Sequence, residues 1–335
     1  MARAMPSVAI VIPHWNRAGL LELALAELAR QTYPIDRVIV VDNGSTDDSA
    51  KVAAGMDAEV ILLGRNMGFA AAVNRGIREA GDAQYIGVLN NDVRPAPGWL
   101  EQLIAKMESS HAWFATGKLL DARAHDRIDG SFDAICRGAC AWRCGHGRMD
   151  APIWNQARAI QLAPLTAAVF RAGVFERVGL LDERFESYLE DVDLGLRCAE
   201  AGLGGVYVPE AVAYHQGSAT LGFWHPDIVR KIARNQVLLL AKHYPPHWIL
   251  RYGWAVFVAQ TLWGLVALRH GALGSYIAGK VEGLRQFRDM RGKQCAGFAP
   301  IAAFHTIVEH SEKEIREIQQ LTGFDLYWKL YFALT

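Results

Sequence analysis

The triplet Asn90-Asn91-Asp92, directly after the apolar run 85–89, contains residue types that could bind a metal ion. Its carboxylate and two amide carbonyls are oxygen donors, which Mg²⁺ and Mn²⁺ prefer. A single carboxylate holds a free divalent ion weakly, so the metal would arrive with a diphosphate that supplies more oxygen ligands. The competing interpretation is an ordinary Asn-Asp turn.

Two more polar loops follow apolar runs. Residues 42–47 come after Val38–Val41, and residues 65–69 come after Val60–Leu62. The carboxylate of Asp42 and the amide of Asn43 could hydrogen-bond a pyrimidine imide, although the same residues also suit a turn and a helix cap. Parallel strands end at a common edge where ligands bind, so we expect these loops to line one site.

A later segment opens a helix with acidic side chains. Glu190, Asp191 and Asp193 lie in its predicted first turn, and Asp193 and Arg197 are spaced as an i,i+4 pair. Acids at a helix start suit the helix dipole, which is the structural interpretation. The functional interpretation is a general base that removes a proton from an acceptor hydroxyl.

His215 follows the last predicted strand and could be a nitrogen ligand of the same metal, or a polar residue satisfied by the protein. The spacing of Cys136, Cys140, Cys144 and His146 matches no common structural zinc site. The five cysteines are too few for a disulfide framework in a chain of 335 residues, so we expect reduced thiols.

The order of the elements predicts an α/β fold. Apolar runs and segments of helical period alternate through the first 120 residues, which is typical of βαβ units and a largely parallel sheet. Strands are predicted at 8–12, 38–41, 60–62, 85–89, 165–170 and 205–208, and helices at 20–30, after 47, at 69–79, at 98–108 and from 190. Residues 121–163 have weak periodicity, which indicates loops and short strands. We therefore predict a catalytic α/β domain at 1–225 and a helical region at 226–335.

Composition and missing motifs exclude several classes. The formal net charge is zero, and we expect no nucleic-acid partner. No G-x-G-x-x-G follows the first strand, which argues against a dinucleotide-dependent dehydrogenase. Residues 274–280 spell G-x-x-x-x-G-K, but Val281 replaces the Ser or Thr that would hold magnesium in a P-loop. No signal peptide is visible, which favours a cytoplasmic location.

The helical region has two possible partners. Tyr252–Leu268 contains no charged residue, but its seventeen residues fall short of the roughly 20 that span a bilayer. Residues 228–293 contain eleven Lys and Arg against two acidic residues. This pattern suits an interfacial helix on anionic lipid at the inner face of the plasma membrane. The alternative is a buried helix or one that forms a homodimer.

Taken in order, these loops resemble the family 2 glycosyltransferases, and in particular their rhamnosyltransferase-like branch. The motifs that carry the resemblance are Ile12-Pro13 with Asn16-Arg17, Val41 to Asp47, Asn66-x-Gly68-Phe69 with Asn74-x-Gly76, Leu89 to Asp92, Glu190-Asp191-x-Asp193-Leu194, and His215. The resemblance implies a GT-A-type nucleotide-diphospho-sugar transferase fold, with one mixed sheet flanked by helices. Asn90 stands where many members have an aspartate.

The resemblance also implies site roles. It assigns Asp191 as the base and Asp92, with His215, as ligands of Mg²⁺ or Mn²⁺. Thr166 and Glu190 are expected near the sugars. The expected nucleotide-sugar contacts are Pro13, His14, Asn16, Arg17, Asp42, Asn43, Ser45, Arg65, Asn66, Asn74, Asn90 and Asn91.

The expected activity is inverting transfer of one sugar from dTDP-rhamnose or a UDP-sugar to a hydroxyl of a glycan or lipid-linked acceptor, in bacterial surface polysaccharide synthesis. The Gln-x-x-Arg-Trp motif of the family's processive synthases is absent from the sequence. Two alternatives remain, a nucleotidyltransferase acting on a sugar phosphate and a non-catalytic module that binds a nucleotide-sugar.

Overall fold

The computed structural model of the chain describes residues 5–217, 224–291 and 301–335. Strands and helices alternate along the first part, and only helices occur in the described residues after 225. The strands are β1 (Val8–His14), β2 (Arg37–Asp42), β3 (Glu59–Leu62), β4 (Tyr85–Leu89), β5 (Val93–Pro95), β6 (Phe114–Asp121), β7 (Ala124–Gly130), β8 (Asp133–Ile135), β9 (Ala141–Arg143), β10 (Arg158–Ile160), β11 (Ala167–Arg171) and β12 (Gly205–His215). The helices are α1 (Ala18–Leu28), α2 (Ser49–Gly55), α3 (Phe69–Glu79), α4 (Trp99–Ser110), α5 (Gly173–Val178), α6 (Glu190–Glu200), α7 (Pro226–His243), α8 (Trp248–Arg269), α9 (Leu273–Arg291), α10 (Ile301–Thr322) and α11 (Leu326–Leu334).

One mixed sheet forms the centre of the α/β part. Its strand order is β10-β12-β6-β11-β4-β1-β2-β3, with β5 paired to β12 and β7 paired to β6. β1, β2, β3 and β4 run parallel, whereas β11 is antiparallel to both β4 and β6. The predicted fold, a single mixed sheet flanked by helices, is confirmed.

The central strand β1 is apolar throughout because helices cover both faces of the sheet. Ile10 packs in the apolar cluster that includes α1 and α4, whereas Val11 packs in the cluster that includes α3. α3 approaches β1 closely at Gly76, where a Cβ atom would lie 2.2 Å from Val11 Cγ1. A larger residue at position 76 would push α3 away from the sheet.

One prediction for the α/β part agrees with the structure and another needs correction. Residues 121–163, expected to form loops and short strands, contain the seven-residue strand β7 and the three-residue strands β8, β9 and β10. β12 does not end at Val208, because a register shift between Val208 and Val212 lets it continue. His215 is therefore the last residue of a strand rather than part of the loop that follows it.

The helical region begins with α7 at Pro226, where the sequence predicts it. α7 packs closely along α9, α10 contacts β8 and α6, and α11 packs on α8. α8 has 22 residues, more than the uncharged run suggests, and by length and composition alone it could cross a membrane. The cysteines Cys136, Cys140, Cys144 and Cys198 are buried free thiols, and Cys295 lies outside the described residues.

Candidate active site

The predicted binding loops meet at the carboxyl edge of β1, β2 and β4. His14 and Asp42 are register partners at the ends of β1 and β2. Just beyond β4, the backbone N–H of Asn90 donates to the backbone carbonyl of Thr166 at 2.9 Å. This is the edge at which open α/β sheets bind ligands.

Short polar contacts join the loops after β1 and β2. The backbone N–H of Asn16 donates to the Ser45 hydroxyl at 2.8 Å. Asn16 Oδ1 accepts from the backbone N–H of Thr46 at 2.9 Å. Asp42 accepts from the Ser45 amide at 2.8 Å. Asn16 and Arg17 have left-handed backbones, with φ of 57° and 70°. Each such residue costs about 1–2 kcal/mol, and such strain is concentrated at functional sites.

Asn43 organises the loop after β3. Its Nδ2 donates to Asn66 Oδ1 at 3.2 Å and to the Gly68 carbonyl at 3.1 Å, and its Oδ1 accepts from the Met67 amide at 2.7 Å. Both ends of the amide are therefore engaged within the protein. These contacts give Asn43 a loop-positioning role, and its contact with the base stays a prediction. Arg65 in the same loop is exposed.

Three buried polar atoms at the site have no hydrogen-bond partner in the described structure: His14 Nε2, Asn90 Oδ1 and Glu190 Oε2. The Asn91 amide nitrogen lies 2.8 Å from His14 Nδ1. Because an amide nitrogen only donates, Nδ1 accepts and Nε2 carries the ring hydrogen. Burial lowers the pKa of His14 despite nearby carboxylates, so the ring is neutral. An unpaired buried polar group costs about 1–3 kcal/mol, which a polar ligand would recover.

Asp92 and His215 lie side by side because β5 pairs with the end of β12. Val93 and His215 are register partners, and the Gln216 amide donates to the Asp92 carbonyl at 3.0 Å. His215 Nε2 lies 3.3 Å from Asp92 Oδ1. On the opposite side of the ring, Nδ1 lies 2.7 Å from Asp129 Oδ2. The imidazole therefore lies between two carboxylates.

These two carboxylates favour a positive charge at the ring. Burial acts to lower the pKa of His215, but hydrogen bonds to Asp129 and Asp92 outweigh it and raise the pKa to about 9. Burial likewise opposes ionisation of Asp129, yet the hydrogen bond from His215 holds the pKa of that carboxyl below its usual range. A divalent ion bound to Nε2 in place of the proton would likewise supply the positive charge that these carboxylates favour.

The spacing of Asp92 and His215 suits two neighbouring ligands of one metal ion. Ligands about 2.1 Å from an octahedral ion lie roughly 3 Å apart. The distance from nitrogen to oxygen here is 3.3 Å. In the described part of the chain, no group of three or more His, Cys, Asp or Glu side chains could hold a metal. The residues therefore fit a divalent ion that has two protein ligands and takes the rest from a diphosphate and water.

Asp191 lies at the start of α6. Its carboxylate accepts from the Val192 amide at 2.8 Å, and the backbone of Leu165 acts to lower its pKa. The next residue, Thr166, contributes its carbonyl to Asn90. The short segment 165–166 thus connects the predicted base to the predicted metal turn, with Thr166 acting through its backbone.

The turn before α6 is strained and is held by α7. Glu186, Tyr188 and Leu189 have φ of 58°, 72° and 65°. Asn235 donates to three carbonyls of this turn at 2.6 to 3.0 Å, and Arg234 pairs with Glu186 at 2.6 Å. The helical region therefore fixes the start of the helix that presents Asp191.

The acidic residues at this helix start have perturbed protonation. Glu190 is buried, and burial together with the charge of Asp191 raises its pKa well above the usual range. Burial also raises the pKa of Asp191, which is only partly exposed, while Arg143 and backbone amides act against that rise. Burial raises the pKa of nearby Asp133 to about 7. A raised pKa brings a carboxylate closer to the range of an effective general base.

Asn74, predicted to contact the nucleotide, is buried within α3. Its Nδ2 donates to the Leu181 carbonyl and to the Glu183 carboxylate, both at 2.9 Å. Its Oδ1 accepts from the Leu181 amide at 2.9 Å. These contacts give Asn74 a structural role, tying α3 to the segment before α6, and its ligand contact stays a prediction.

The sequence patterns miss three charged residues of the site. Arg143 Nε lies 3.7 Å from Asp133 Oδ1, and Arg143 Nη1 lies 4.0 Å from Asp129 Oδ2. All three belong to β7, β8 or β9, in the weakly periodic segment 121–163. β7 pairs with its neighbour β6, which in turn pairs with the distant strand β12, and β8 pairs with β9. No local spacing in the sequence signals that these strands reach the site.

The comparisons identify the family. Residues 9–134 match the model described as Glycosyl transferase family 2. Over 296 residues the chain is 29% identical to N-acetylglucosaminyl-diphospho-decaprenol L-rhamnosyltransferase of Mycobacterium tuberculosis, and the match covers 80% of this chain and 92% of that relative. Residues 9–134 are a family 2 glycosyltransferase domain, and the chain is a glycosyltransferase. The glycosyltransferase is also 28% identical over 227 residues to the O-antigen biosynthesis protein RfbC of Myxococcus xanthus, which covers 65% of the chain and 18% of that relative.

A solved structure supports the fold of this glycosyltransferase. The crystal structure of GalNAc-T7 with UDP, GalNAc and Mn²⁺ superposes with a TM-score of 0.64 at 13% identity, over 96% of this chain and 59% of that chain. Identity this low establishes the fold alone. The predicted GT-A fold and rhamnosyltransferase-like family are confirmed, whereas the roles of individual site residues stay predictions.

Proposed function

We propose that this glycosyltransferase moves a sugar, with inversion at the anomeric carbon, from a nucleoside-diphosphate sugar to an acceptor hydroxyl. One observation carries the proposal. Asp191, a partly exposed carboxylate of raised pKa, interacts with Arg143, and Arg143 lies 4.0 Å from Asp129, which contacts the His215 ring paired with Asp92. The reaction needs a base for the hydroxyl and a centre that stabilises charge on the leaving group, and these residues suit the two tasks.

The transfer proceeds by a single displacement. Asp191 accepts the hydroxyl proton while the hydroxyl oxygen attacks the anomeric carbon. The bond from that carbon to the diphosphate oxygen breaks, and the nucleoside diphosphate leaves with the electron pair. Glu190, neutral because of its raised pKa, hydrogen-bonds a sugar hydroxyl through its unpartnered Oε2. Placing both reactants correctly lowers the barrier by pre-organisation.

Asp92 and His215 would hold Mg²⁺ or Mn²⁺, which when bound neutralises charge on the diphosphate. His14 donates its unpartnered Nε2 hydrogen to the nucleotide-sugar, and the side-chain oxygen Oδ1 of Asn90 accepts a hydrogen bond from the same ligand. The strained loop at Asn16 and the exposed Arg65 complete the donor side. Two protein ligands alone hold a divalent ion weakly, so metal affinity should depend on bound nucleotide.

The donor we propose first is dTDP-rhamnose, followed by a UDP-sugar. The Mycobacterium tuberculosis relative is named an L-rhamnosyltransferase, and its name specifies a diphospho-decaprenol acceptor. We propose a lipid-linked glycan as the acceptor here and synthesis of a bacterial surface polysaccharide as the pathway, in keeping with the O-antigen relative.

A donor panel tests the proposal. The protein would be incubated with Mn²⁺, a lipid-linked acceptor and dTDP-rhamnose, UDP-glucose, UDP-N-acetylglucosamine or GDP-mannose, and free nucleoside diphosphate would be measured. Release from one donor, together with a glycosylated product of opposite anomeric configuration, supports it. Glu317→Gln serves as the control, because this exposed acid lies on α10 and pairs only loosely with Lys313 at 3.6 Å.

Two outcomes would contradict the proposal. Release of pyrophosphate from a nucleoside triphosphate and a sugar phosphate would identify a nucleotidyltransferase. Donor binding by calorimetry without turnover on any acceptor would favour a non-catalytic module.

We also infer that the helical region docks on an anionic membrane. α8 exposes apolar side chains along one side, spaced by three, four or eight residues, and α9 and α11 expose similar stripes. These residues are Leu250, Trp254, Phe257, Leu265 and Leu268 on α8, Ile277, Val281 and Leu284 on α9, and Leu326, Leu330 and Leu334 on α11. Apolar stripes on packed helices are typical of interfacial contact.

The charge excess of this region contributes less to membrane binding than the sequence suggests. Several of its cations are engaged in ion pairs, for example Arg230 with Glu282 at 2.9 Å. Arg269, Arg285 and Arg288 are exposed beside the stripes and form no ion pair among the described residues. Each such cation near an anionic surface contributes about 1 kcal/mol.

Sedimentation with vesicles tests the membrane inference. We expect the protein to bind phosphatidylglycerol vesicles more strongly than phosphatidylcholine vesicles at low salt. The double variant Leu265→Glu with Leu268→Glu should abolish binding, whereas Leu62→Glu should not, because Leu62 is equally exposed but lies on edge strand β3. Absence of vesicle binding together with a dimer in light scattering would favour the homodimer interpretation instead.

A further inference from the structure

Asp129 contacts His215 on the side of the ring that faces away from Asp92. Asp129 is 6% exposed and lies on β7, whereas His215 ends β12. The distance from Asp129 Oδ2 to His215 Nδ1 is 2.7 Å, and the distance from His215 Nε2 to Asp92 Oδ1 is 3.3 Å. The three side chains therefore form a line, with the ring in the middle.

His146 and Gly217 lie against Asp129. Its carbonyl lies 2.8 Å from His146 Nδ1. Gly217 lies beside the carboxylate, and a Cβ atom at that position would be 3.2 Å from Asp129 Oδ1. A glycine at position 217 thus gives the carboxylate room to reach the ring.

We propose that Asp129 is a positioning residue that orients His215 for a divalent cation. By accepting from Nδ1–H, it leaves Nε2, the nitrogen beside Asp92, as the ring atom that binds the cation in place of a proton. A histidine ligand of a metal generally donates its second ring hydrogen to a carboxylate or carbonyl, and loss of that partner typically lowers metal affinity 10- to 100-fold. The proposal rests on the proposed function, because it takes Asp92 and His215 as the metal ligands.

Binding of Mn²⁺ in the presence of uridine diphosphate tests this role without any turnover. Free Mn²⁺ would be counted by electron paramagnetic resonance for the wild type, Asp129→Asn, His215→Gln and the double variant. We expect Asp129→Asn to weaken Mn²⁺ binding about 10- to 100-fold. Asp126→Asn is the matched control, because Asp126 is an exposed acid on the same strand.

The double variant separates positioning from a general structural effect. If Asp129 acts through His215, Asp129→Asn should change Mn²⁺ affinity very little once His215 is already Gln. An equal loss in both backgrounds, or no loss in the wild-type background, would overturn the positioning role. Unchanged Mn²⁺ affinity in His215→Gln alone would instead overturn the proposed metal site.

Gly217→Ala provides a milder second test that keeps every polar group. The added methyl would press on the Asp129 carboxylate, and the Gly217 φ of +39° adds strain. We expect a severalfold loss of Mn²⁺ affinity that also disappears in the His215→Gln background. Full Mn²⁺ affinity in a folded Gly217→Ala protein, together with full affinity in Asp129→Asn, would refute the proposal.

Discussion

Asp191 and Asp193 lie two positions apart on α6 but face different regions of the molecule. Asp191 is partly exposed at the binding edge, near Arg143. Asp193 is fully buried against α7, where its Oδ1 lies 2.7 Å from Lys242 Nζ and 2.8 Å from His243 Nε2. On its own helix it also accepts from Arg197, at 2.9 Å and 3.0 Å.

Burial acts in the same direction on both carboxylates, and the number of nearby cations decides the outcome. Burial raises the pKa of Asp191, and Arg143 offsets it only in part. Burial also opposes ionisation of Asp193, but Arg197, Lys242 and His243 hold its pKa well below the usual range. The first carboxylate suits proton transfer and the second holds the helical region against α6. A pair of acids whose environments separate their pKa values is typical of a catalytic site.

Replacing Asp191 should have the largest effect on activity. Asp191→Asn removes the proton acceptor but keeps the side chain's size, so we expect turnover to fall about 10² to 10⁴-fold. Donor affinity and melting temperature should remain close to wild type. The measurement is steady-state release of nucleoside diphosphate with saturating donor and acceptor, and near-normal turnover would rule out Asp191 as the base.

Replacing Asp193 should have the converse effect, on stability. Asp193→Asn leaves Arg197, Lys242 and His243 without their common partner, and breaking a buried ion pair in this way costs about 3–5 kcal/mol. Denaturant unfolding would measure the loss. Turnover per folded molecule should change far less than in Asp191→Asn, and a loss of activity without a loss of stability would contradict the distinction between the two acids.

The stability effect of Asp193 should depend on pH. Because its pKa is depressed in the folded protein, its contribution is present above the unfolded value, about 4, and is lost as the pH falls through the folded value. The free energies of unfolding of wild type and Asp193→Asn should therefore differ most near neutrality and converge in acid. A difference that stays constant down to pH 3 would argue against the charge network.

Local patterns in the sequence predict one of these two roles better than the other. The spacing of Asp193 and Arg197 indicates their ion pair, because i,i+4 residues meet on a helix. Lys242 and His243 belong to another element, and only tertiary packing brings them to Asp193. Among the strands around the site, β4 is also predicted by a local pattern, because it coincides with the apolar run 85–89.

The remaining parts of the site depend on pairing between distant strands. Asp92 meets His215 because β5 pairs with β12, and Asp129 joins them because β6 lies between β7 and β12. A register set by such contacts leaves no periodic signal in the segment that contains Asp129. Asn43 and Asn74 carry the family motif, yet their amides hold loops and helices together, a role that residue type alone does not reveal.

Replacing Arg143 should shift the pH dependence of catalysis. Without this cation, the pKa of Asp191 would rise further, because burial and Glu190 would then act with less opposition. A base acts only when deprotonated, so kcat/KM of Arg143→Gln should fall roughly tenfold at pH 6 and approach the wild type at pH 9. The profile would be measured at saturating Mn²⁺, with the exposed Arg123→Gln as control. A uniform loss at every pH would indicate instead that Arg143 binds substrate.

The smallest effect is expected when Glu190 becomes glutamine. Burial and the charge of Asp191 keep Glu190 protonated, and a glutamine has the same shape and is likewise neutral. We expect kcat/KM of Glu190→Gln to stay within about threefold of wild type, which is less than 1 kcal/mol. Glu190→Ala, which deletes the unpartnered Oε2, should lose about tenfold through a higher KM for donor or acceptor. If Glu190→Gln instead loses as much activity as Asp191→Asn, then Glu190 is charged during the reaction and the assignment of the base moves by one residue along α6.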